Sequence, residues 1–280
     1  MNIHLHDVTL CAVDCVTPAL AADALQKSSA GLTYGDVFLL SDTTTVVDVP
    51  IRTIPSLRSR DAYSSFILRN LVEFVQTSHV LIVQWDGFVL DPRHWHPEFL
   101  RVDYIGAQWG WFNDGMTVGN GGFSLRSRKL LEATAKAFED TNIAANEDVL
   151  ICREHRRWLE QQFNIVFASP AMADRFSYER TPPAAPTFGF HGMFNFWRHF
   201  NDNQLLDLVL SLPNGTLVGR EYLELLLKCL ADRRYPATEG MYRRLSEIEP
   251  PEETEKRIAV QLSDKTSGRL IMSFLTSLIR

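Results

Sequence analysis

The sequence has few cysteines, and their spacing excludes two kinds of stabilising site. Cys11, Cys15, Cys152 and Cys229 fit neither a paired zinc motif nor the dense framework of a disulfide-rich protein. We therefore interpret them as small buried residues, and we expect a reducing, cytoplasmic compartment. The first ten residues, MNIHLHDVTL, lack the basic start and the long apolar run of a signal peptide.

Other features that the sequence lacks argue against several classes of protein. No apolar stretch approaches the roughly 20 residues of a membrane-spanning helix. The net charge is −6 and no stretch is dense in lysine and arginine, which argues against a nucleic-acid-binding protein. A serine hydrolase is unsupported because the Gly-x-Ser-x-Gly motif does not occur. The composition, 45% hydrophobic over 280 residues, is that of a globular protein with a sizeable core.

The first half alternates between strand and helix patterns. Residues 8–16 and 34–42 are predicted strands, and the helix 18–30 between them begins with a proline, so the three form a βαβ unit. Such units build parallel sheets. A helix over 58–77 then precedes the apolar strand 79–83, whose carboxyl end carries the polar turn QWDG. In open α/β sheets ligands bind at that end of the strands.

The second half continues the pattern and then changes. We predict further strands and helices over 104–112, 118–127, 128–140, 146–162 and 164–169, followed by an irregular proline- and aromatic-rich segment over 181–197. Amphipathic helices follow, so we divide the chain into an enzyme-like domain, 1–200, and a helical extension, 201–280. The last apolar segment, 271–279, could dock on the core, on a partner subunit or on a membrane surface.

Three polar clusters, at separated positions, are candidates for a site. They are Gln84 with Asp86, Glu147 with Asp148, and His191. Each also has a purely structural interpretation. Asp86 precedes a glycine in a common turn dipeptide, the acidic pair would favour a helix amino terminus, and a histidine between Phe and Gly is often only packed.

The order of these clusters resembles that of the GT-A glycosyltransferases, in which an Asp-x-Asp motif, a glycine-rich strand, a Glu-Asp pair and a late histidine follow one another. NGGFSLRSRKLL followed by NEDV is similar to the layout of β-1,3-galactosyltransferases and fringe-type enzymes. More closely, LIVQWDGFVLDP, DYIGAQWGWF, VGNGGFSLRSRKLLEA, NEDVLIC and FGFHG together resemble a bacterial family of unknown function that is grouped with such enzymes. The resemblance covers about residues 8–197.

The resemblance implies a GT-A-like α/β fold, with a mixed, mostly parallel sheet flanked by helices and a C-terminal helical extension. It implies a UDP-, GDP- or dTDP-sugar donor and a glycan or lipid-linked glycan acceptor, as in the synthesis of a bacterial surface polysaccharide. It also implies that the configuration at the anomeric carbon is inverted. No nucleic acid and no transmembrane segment are expected, although peripheral membrane contact remains open. The oligomeric state is not predicted.

The resemblance also assigns roles to residues. Asp86, Gln84 and His191 would hold Mn²⁺ or Mg²⁺, Asp148 would be the catalytic base, and Glu147 would orient the base or the acceptor. The residues expected to contact the donor are Asp42, Gln84, Trp85, Arg58 and Arg60. Independently of the resemblance, the residues expected to bind the substrate are Trp109, Trp111, Asn120, Gly121 and Gly122. In the strand predicted over 104–112 the two tryptophans would share one face, which suits stacking on a sugar ring, and the two glycines would let a ligand approach the backbone closely. Solvated charge for the arginines, core packing for the tryptophans and a tight turn for the glycines remain alternatives.

One departure from the family pattern bears on the metal. The motif is Gln-Trp-Asp, so a neutral amide stands where the resembling enzymes have a carboxylate. A site with one carboxylate should bind Mg²⁺ or Mn²⁺ weakly alone and better together with donor phosphates, and metal-independent catalysis stays open. Two other functions also remain: an inactive carbohydrate- or nucleotide-binding protein, and a sugar-phosphate nucleotidyltransferase, although DCVTPALAAD lacks the glycine-rich basic loop usual in the latter.

Overall fold

A computed structural model describes residues 2–44 and 47–279. The chain divides into two compact units, Met1–His191 and Gly192–Arg280. The first unit is an α/β sandwich and the second is helical, which confirms the predicted fold class. The functional domain boundary at residue 200 stays a prediction.

The first unit is built on a six-stranded sheet of order β3-β2-β1-β4-β6-β5. β1, β2, β3 and β4 pair in parallel, whereas β6 is antiparallel to both β4 and β5. All five side chains of β4, HVLIV, are buried because helices cover both faces of a mostly parallel sheet. The strands are β1 (Ile3–Val13), β2 (Leu32–Ser41), β3 (Ile51–Thr53), β4 (His79–Val83), β5 (Tyr104–Ile105) and β6 (Phe123–Ser127).

Helices flank this sheet and close the core. Phe38, Leu40, Val80 and Ile82 from the strands pack with Phe66 of the second helix in one buried cluster. The helices of the unit are α1 (Pro18–Ser29), α2 (Arg60–Arg69), α3 (Leu71–Phe74), α4 (Arg128–Ala137), α5 (Glu147–Val149), α6 (Arg156–Phe163) and α7 (Pro170–Phe176). A second small sheet joins β7 (Ser177–Tyr178) to β8 (Gly189–Phe190).

Several predicted elements were wrong in extent. The helix expected over 58–77 is split at Asn70, and the helix expected over 146–162 is interrupted by a π turn, Leu150–Glu154. The strand expected over 164–169 is reduced to one isolated bridge at Phe167. The strand expected over 104–112 stops at Ile105, because a bridge between Gln108 and Val118 closes residues 109–117 into a loop.

The antiparallel pairing of β4 with β6 positions the site. The last residue of β4, Val83, is paired with the first residue of β6, Phe123. The turn after β4 therefore lies against the turn before β6, and the backbone N–H of Gln84 donates to the carbonyl of Gly122 at 2.9 Å. Two motifs that are about forty residues apart in the sequence meet at the carboxyl edge of the parallel strands, where α/β folds bind ligands.

The second unit consists of helices joined by short turns. Asn201 and Gln204 form a capping box at the start of its first helix. The helices are α8 (Asp202–Ser211), α9 (Asn214–Leu217), α10 (Arg220–Ala231), α11 (Tyr235–Ser246), α12 (Pro251–Leu262) and α13 (Lys265–Leu278). The predicted apolar segment 271–279 lies mostly in α13, which contacts α11 and α12 and buries Met272 and Leu275. Within 2–44 and 47–279, every helix is too short or too polar to cross a bilayer.

Candidate functional site

A cleft of about 450 Å³ opens at this edge of the first unit. Most of the residues predicted for the site line it, although they come from six separate segments of the chain. These lining residues are Arg60, Gln84, Trp109, Trp111, Asn120, Gly121, Gly122, Glu147, Asp148 and His191.

Gln84, Asp86 and His191 meet at one end of the cleft. The Nε2 atom of His191 lies 3.2 Å from Oε1 of Gln84 and 3.3 Å from Oδ1 of Asp86. The amide nitrogen of Gln84 donates to the hydroxyl of Tyr63 at 3.1 Å, which turns its oxygen towards the imidazole. Asp86 itself is buried and does not line the cleft.

The opposite edge of the His191 ring also has polar partners. Its Nδ1 atom lies 3.0 Å from Nδ2 of Asn120 and 3.5 Å from Oε1 of Glu179. Burial lowers the pKa of His191, but the carboxylates of Asp86 and Glu179 raise it by more, so that it lies well above its ordinary value. The two acids therefore favour the protonated form of His191.

The two glycines of the Asn120–Gly121–Gly122 turn are required by lack of space. A Cβ atom on Gly122 would lie 2.0 Å from Nε2 of His191, and one on Gly121 would lie 2.1 Å from Oε1 of Glu147. Asn120 adopts a left-handed backbone with φ of 62°, a conformation that asparagine tolerates better than most residues. The turn therefore allows His191 and Glu147 to approach the backbone from two sides.

Asp148 lies on the Gly121 side of this turn. Its Oδ2 atom accepts from the N–H of Gly121 at 3.0 Å, and its Oδ1 atom accepts from the N–H of Val149 at 2.7 Å. Burial and the neighbouring Glu147 carboxylate raise its pKa from 3.8 to about 6, against the lowering effect of these hydrogen bonds and of Arg126. The helix position therefore does not depress the pKa, but the group is still ionised above neutral pH.

Glu147 lines the cleft, and its carboxylate forms a buried ion pair with Arg126. Its Oε1 atom forms a 3.0 Å ion pair with Nη2 of Arg126, and the two side chains are only 6% and 1% exposed. The backbone N–H of Glu147 donates to the hydroxyl of Ser64 at 3.2 Å. The other terminal nitrogen of Arg126, Nη1, is buried without a partner. A buried pair of this kind fixes Glu147 in place, because either charge alone would be strongly destabilised.

Four of the predicted residues do not line the cleft: Asp42, Arg58, Trp85 and Asp86. Asp42 and Arg58 form an ion pair at 2.8 Å, and Arg58 also donates to the carbonyl of Cys15 at the end of β1. A hydrogen bond from Ser56 and the charge of Arg58 lower the pKa of Asp42. Asp42 nevertheless follows β2 directly and so lies at the same edge of the sheet as the cleft.

The aromatic cluster differs from the prediction. Trp109 and Trp111 were expected to share one face of a strand, but both lie in the loop closed by the Gln108–Val118 bridge. Trp109 is 5% exposed and serves mainly as packing, whereas Trp111 is 58% exposed beside the cleft. The two indoles stack with centroids 6.1 Å apart.

Sequence reasoning missed several residues of the cleft. They are Tyr63, Ser64, Arg153 and Glu179, together with Arg126 beneath it. Only Arg153 carried a local signal, since it follows the Glu-Asp pair in NEDVLICRE. Glu179 and Tyr63 are brought in by long-range packing, for which the sequence offered no motif.

The residues around His191 were predicted to hold a divalent cation. No group of three or more His, Cys, Asp and Glu side chains placed to hold a metal occurs among residues 2–44 and 47–279. The predicted set combines one histidine and one carboxylate with the amide oxygen of Gln84, and two of its separations can be compared with those of a metal site. Adjacent ligands of an octahedral Mg²⁺ lie about 3 Å apart when each bond is about 2.1 Å, and the 3.2 and 3.3 Å separations match that spacing. Nε2 of His191 would have to be unprotonated to bind.

The chain matches the family described as "Protein of unknown function (DUF5672)" over residues 47–191. This is more than half of its length, and the chain belongs to that family. No curated protein matches it significantly.

Three solved glycosyltransferase structures show similarity over the fold. GlyE of Streptococcus pneumoniae TIGR4 is 13% identical with a TM-score of 0.41, and the alignment covers 65% of this chain and 53% of GlyE, about half its length. The galactosyltransferase LgtC, in complex with donor and acceptor sugar analogs, is 14% identical with a TM-score of 0.40 over 66% of this chain and 86% of its own. The mannosyltransferase PcManGT of Pyrobaculum calidifontis, with GDP-Man and Mn²⁺, is 12% identical with a TM-score of 0.38, over 98% and 85% of the two chains.

Proposed function

We propose that this member of the DUF5672 family is a glycosyltransferase that moves a sugar from a nucleotide-sugar donor to a hydroxyl of a glycan or lipid-linked glycan, with inversion. One observation carries the proposal. Asp148 contacts Gly121, and His191 contacts Gly122, so a carboxylate base and a cationic centre flank a two-residue turn at the floor of one cleft.

Asp148 is the proposed base. A base must lie within hydrogen-bonding reach of the acceptor hydroxyl and be ionised at the working pH. Asp148 lines the cleft, and its pKa of about 6 keeps it ionised above neutral pH while leaving it more basic than a solvated aspartate. It would take the proton from the acceptor oxygen as that oxygen attacks the anomeric carbon. Glu147, held by Arg126, would orient the segment that carries Asp148.

The opposite end of the cleft would stabilise the leaving group. The departing nucleoside diphosphate gains negative charge, which donors fixed beforehand can stabilise without reorganising. Gln84, Asp86 and His191 would hold Mn²⁺ or Mg²⁺, and such a cation, when bound, would neutralise charge on the diphosphate. Without it, a protonated His191 would donate to a phosphate oxygen in the same place. The exposed Arg60, which also lines the cleft, would bind phosphate as well.

The nucleoside of the donor would lie towards the ends of β1 and β2. Asp42 follows β2 at the edge of the sheet that carries Gln84, and it is proposed to bind the base or the ribose. Its partner Arg58 and the partly buried Trp85 would shape this part of the site. We propose UDP, GDP and dTDP as the candidate nucleotides, and the sugar polymers of a bacterial surface as the acceptor class.

The direct test is release of nucleoside diphosphate from a panel of UDP-, GDP- and dTDP-sugars, with and without Mn²⁺. The wild type should release product and should be stabilised against heat by its donor, since a ligand stabilises the state that binds it. Asp148→Asn should lower kcat by about 10²–10⁴-fold with donor affinity nearly unchanged. Glu147→Gln should affect kcat less and acceptor KM more. Absence of both stabilisation and turnover across the panel would refute the proposal, and a retained anomeric configuration would refute single displacement.

A second candidate function is a non-catalytic protein that binds nucleotide sugars or glycans. Its support is the amide of Gln84 in place of an acid, together with the burial of Asp86 behind His191. The same panel separates the two candidates. Stabilisation by a nucleotide sugar without turnover, at any Mn²⁺ concentration and with any acceptor tried, would favour the binding protein.

A further inference from the structure

A loop over residues 109–116, here called the aromatic loop, forms one wall of the cleft. The Gln108–Val118 bridge and a 2.7 Å bond from the N–H of Trp109 to the carbonyl of Thr117 close its base. Trp109 is packed so closely that a Cβ atom on Gly119 would lie 2.5 Å from its ring. The base is therefore anchored, and the loop projects from it into solvent as far as its tip at Gly115.

Arg153 holds the far half of this loop. Its guanidinium binds both carboxylate oxygens of Asp114, at 2.9 and 2.7 Å, and donates to the carbonyl of Met116. The same group lies 3.7 Å above the ring of Phe112. Bidentate charge-assisted bonds and a cation–π contact are among the more strongly oriented interactions available to arginine. The Arg153 side chain is 16% exposed, so these contacts are partly shielded from water.

Arg153 lies on the same short segment as Asp148. The segment runs from α5 into the π turn Leu150–Glu154, in which the N–H of His155 bonds to the carbonyl of Leu150 at 2.9 Å. Asp148 and Arg153 both line the cleft. One short segment carries the proposed base and also holds the aromatic loop.

Trp111 is an exposed aromatic side chain on this wall of the cleft. It is 58% exposed, it lines the cleft, and its ring stacks on that of the buried Trp109. A flat apolar surface at the edge of a polar cleft matches a pyranose ring, which has an apolar face of C–H groups and a rim of hydroxyls. A nucleobase could also stack on an indole, but the nucleoside is expected at the ends of β1 and β2, whereas this wall adjoins Asp148 and Val149.

We infer that the aromatic loop is a subsite for the acceptor. In this subsite the apolar face of a pyranoside stacks on Trp111. Arg153 is the positioning residue that fixes the subsite relative to Asp148. The claim that the bound pyranoside is the acceptor rests on the proposed function. The claim that Trp111 binds a pyranoside does not, and the experiment tests the two claims separately.

The experiment measures saccharide and donor binding separately. Methyl glycosides of galactose, glucose and mannose are titrated by saturation-transfer NMR, which also shows which ring protons lie against the protein. UDP-glucose and GDP-mannose with Mn²⁺ are followed by thermal shift. Trp111→Ala should weaken glycoside binding about tenfold, the effect of losing about 60 Å² of apolar contact. Trp111→Phe should retain part of the affinity, and neither should change the response to nucleotide sugars.

Arg153 is tested against a neighbour on the same segment. Arg153→Met should weaken glycoside binding about three- to tenfold, and it should raise acceptor KM more than it lowers kcat for transfer. Asp114→Asn should cause part of the same loss of glycoside binding. Arg153→Lys should weaken binding nearly as much as Arg153→Met, because lysine cannot form the bidentate pair with Asp114. Arg157→Met, at an exposed arginine four residues on, is the matched control and should behave as wild type.

Absence of glycoside binding in the wild type, or unchanged binding in Trp111→Ala, would overturn the subsite. Unchanged binding and acceptor KM in Arg153→Met would overturn the positioning role. Glycoside binding that depends on Trp111, in a protein that responds to no nucleotide sugar, would refute the proposed function and leave the loop as a saccharide site.

Discussion

Replacing the proposed base should make the protein more stable. Asp148 is held in the charged form at neutral pH although burial and the adjacent Glu147 carboxylate disfavour that charge. Asp148→Asn removes the charge and leaves the size of the side chain almost unchanged. We therefore expect the variant to lose transfer activity and to gain stability, as is common when a strained catalytic group is removed.

The magnitude follows from the pKa. A rise from 3.8 to about 6 corresponds to at most about 3 kcal/mol of free energy, at roughly 1.4 kcal/mol per unit. The pKa of about 6 already includes the lowering effect of the hydrogen bonds from the N–H groups of Gly121 and Val149. An asparagine can satisfy only one of these donors, which places the expected gain below that limit. We expect a gain on the order of 1–3 kcal/mol, which is a rise of several degrees in Tm.

The pH dependence has a definite sign. The folded pKa of Asp148 lies above its unfolded value, so the native state binds the extra proton between these two values. The destabilising charge is fully present above pH 6 and disappears as the pH falls towards 3.8. The advantage of Asp148→Asn should therefore be largest at pH 7.5, and it should be lost at about pH 4.

The assay is thermal unfolding of the wild type and the variant at pH 7.5, 6 and 4, following the transition of the unit that holds the cleft. Asp140→Asn, at an exposed aspartate, is the control and should give the same small difference at every pH. Equal or lower stability of Asp148→Asn at pH 7.5, or a difference that does not change with pH, would refute the assignment of a raised pKa to this carboxyl group.

Three further predictions concern the other end of the cleft. Gly122→Ala should displace the His191 ring, since its Cβ atom would lie 2.0 Å from Nε2, and should weaken donor binding by at least tenfold in calorimetry, whereas Gly215→Ala, whose Cβ atom meets nothing within 4 Å, should not. Asp86→Asn should abolish Mn²⁺-dependent binding of a nucleoside diphosphate with the fold intact by circular dichroism; unchanged binding would remove Asp86 from the metal set. Gln84→Asp should tighten Mn²⁺ binding without donor, because a carboxylate is a better ligand than an amide, and an unaltered affinity would show that this side chain does not face the metal.

The sequence was sufficient to predict that the distant motifs converge. A βαβ unit fixes parallel strands, and the carboxyl ends of parallel strands share one edge, so Gln84 and Asp42 had to lie on the same side of the sheet. The expectation that Asp148 and His191 line the same cleft came from the resemblance alone. The structure brings both to the turn at Gly121 and Gly122.

Other features depended on context that a sequence does not carry. Nothing in LICRE distinguishes a π turn from an α-helical one, so the position of Arg153 relative to Asp148 could not be predicted from the sequence. The WGWF segment has the aromatic content of a strand, but the Gln108–Val118 bridge makes it a loop. Glu179 lies beside His191 only because β7 and β8 pair in parallel, and each strand is too short to show a pattern.

The charges around the cleft bear on how a donor would bind. Four carboxylates lie in the cleft or directly against it, namely Asp86, Glu147, Asp148 and Glu179, and the opposing charges are those of Arg126, His191 and the exposed Arg60. Arg153 adds little, because Asp114 neutralises it. A bare diphosphate, with about two negative charges of its own, would enter a site that is already slightly negative, and exposed Arg60 is screened by salt. A diphosphate that arrives with a divalent cation would enter as a nearly neutral group, and its cation would meet the predicted ligands Asp86, Gln84 and His191. This balance is the electrostatic reason to expect the donor to bind weakly without a metal. Weak binding of the metal alone would instead follow from its having only one carboxylate among the predicted ligands.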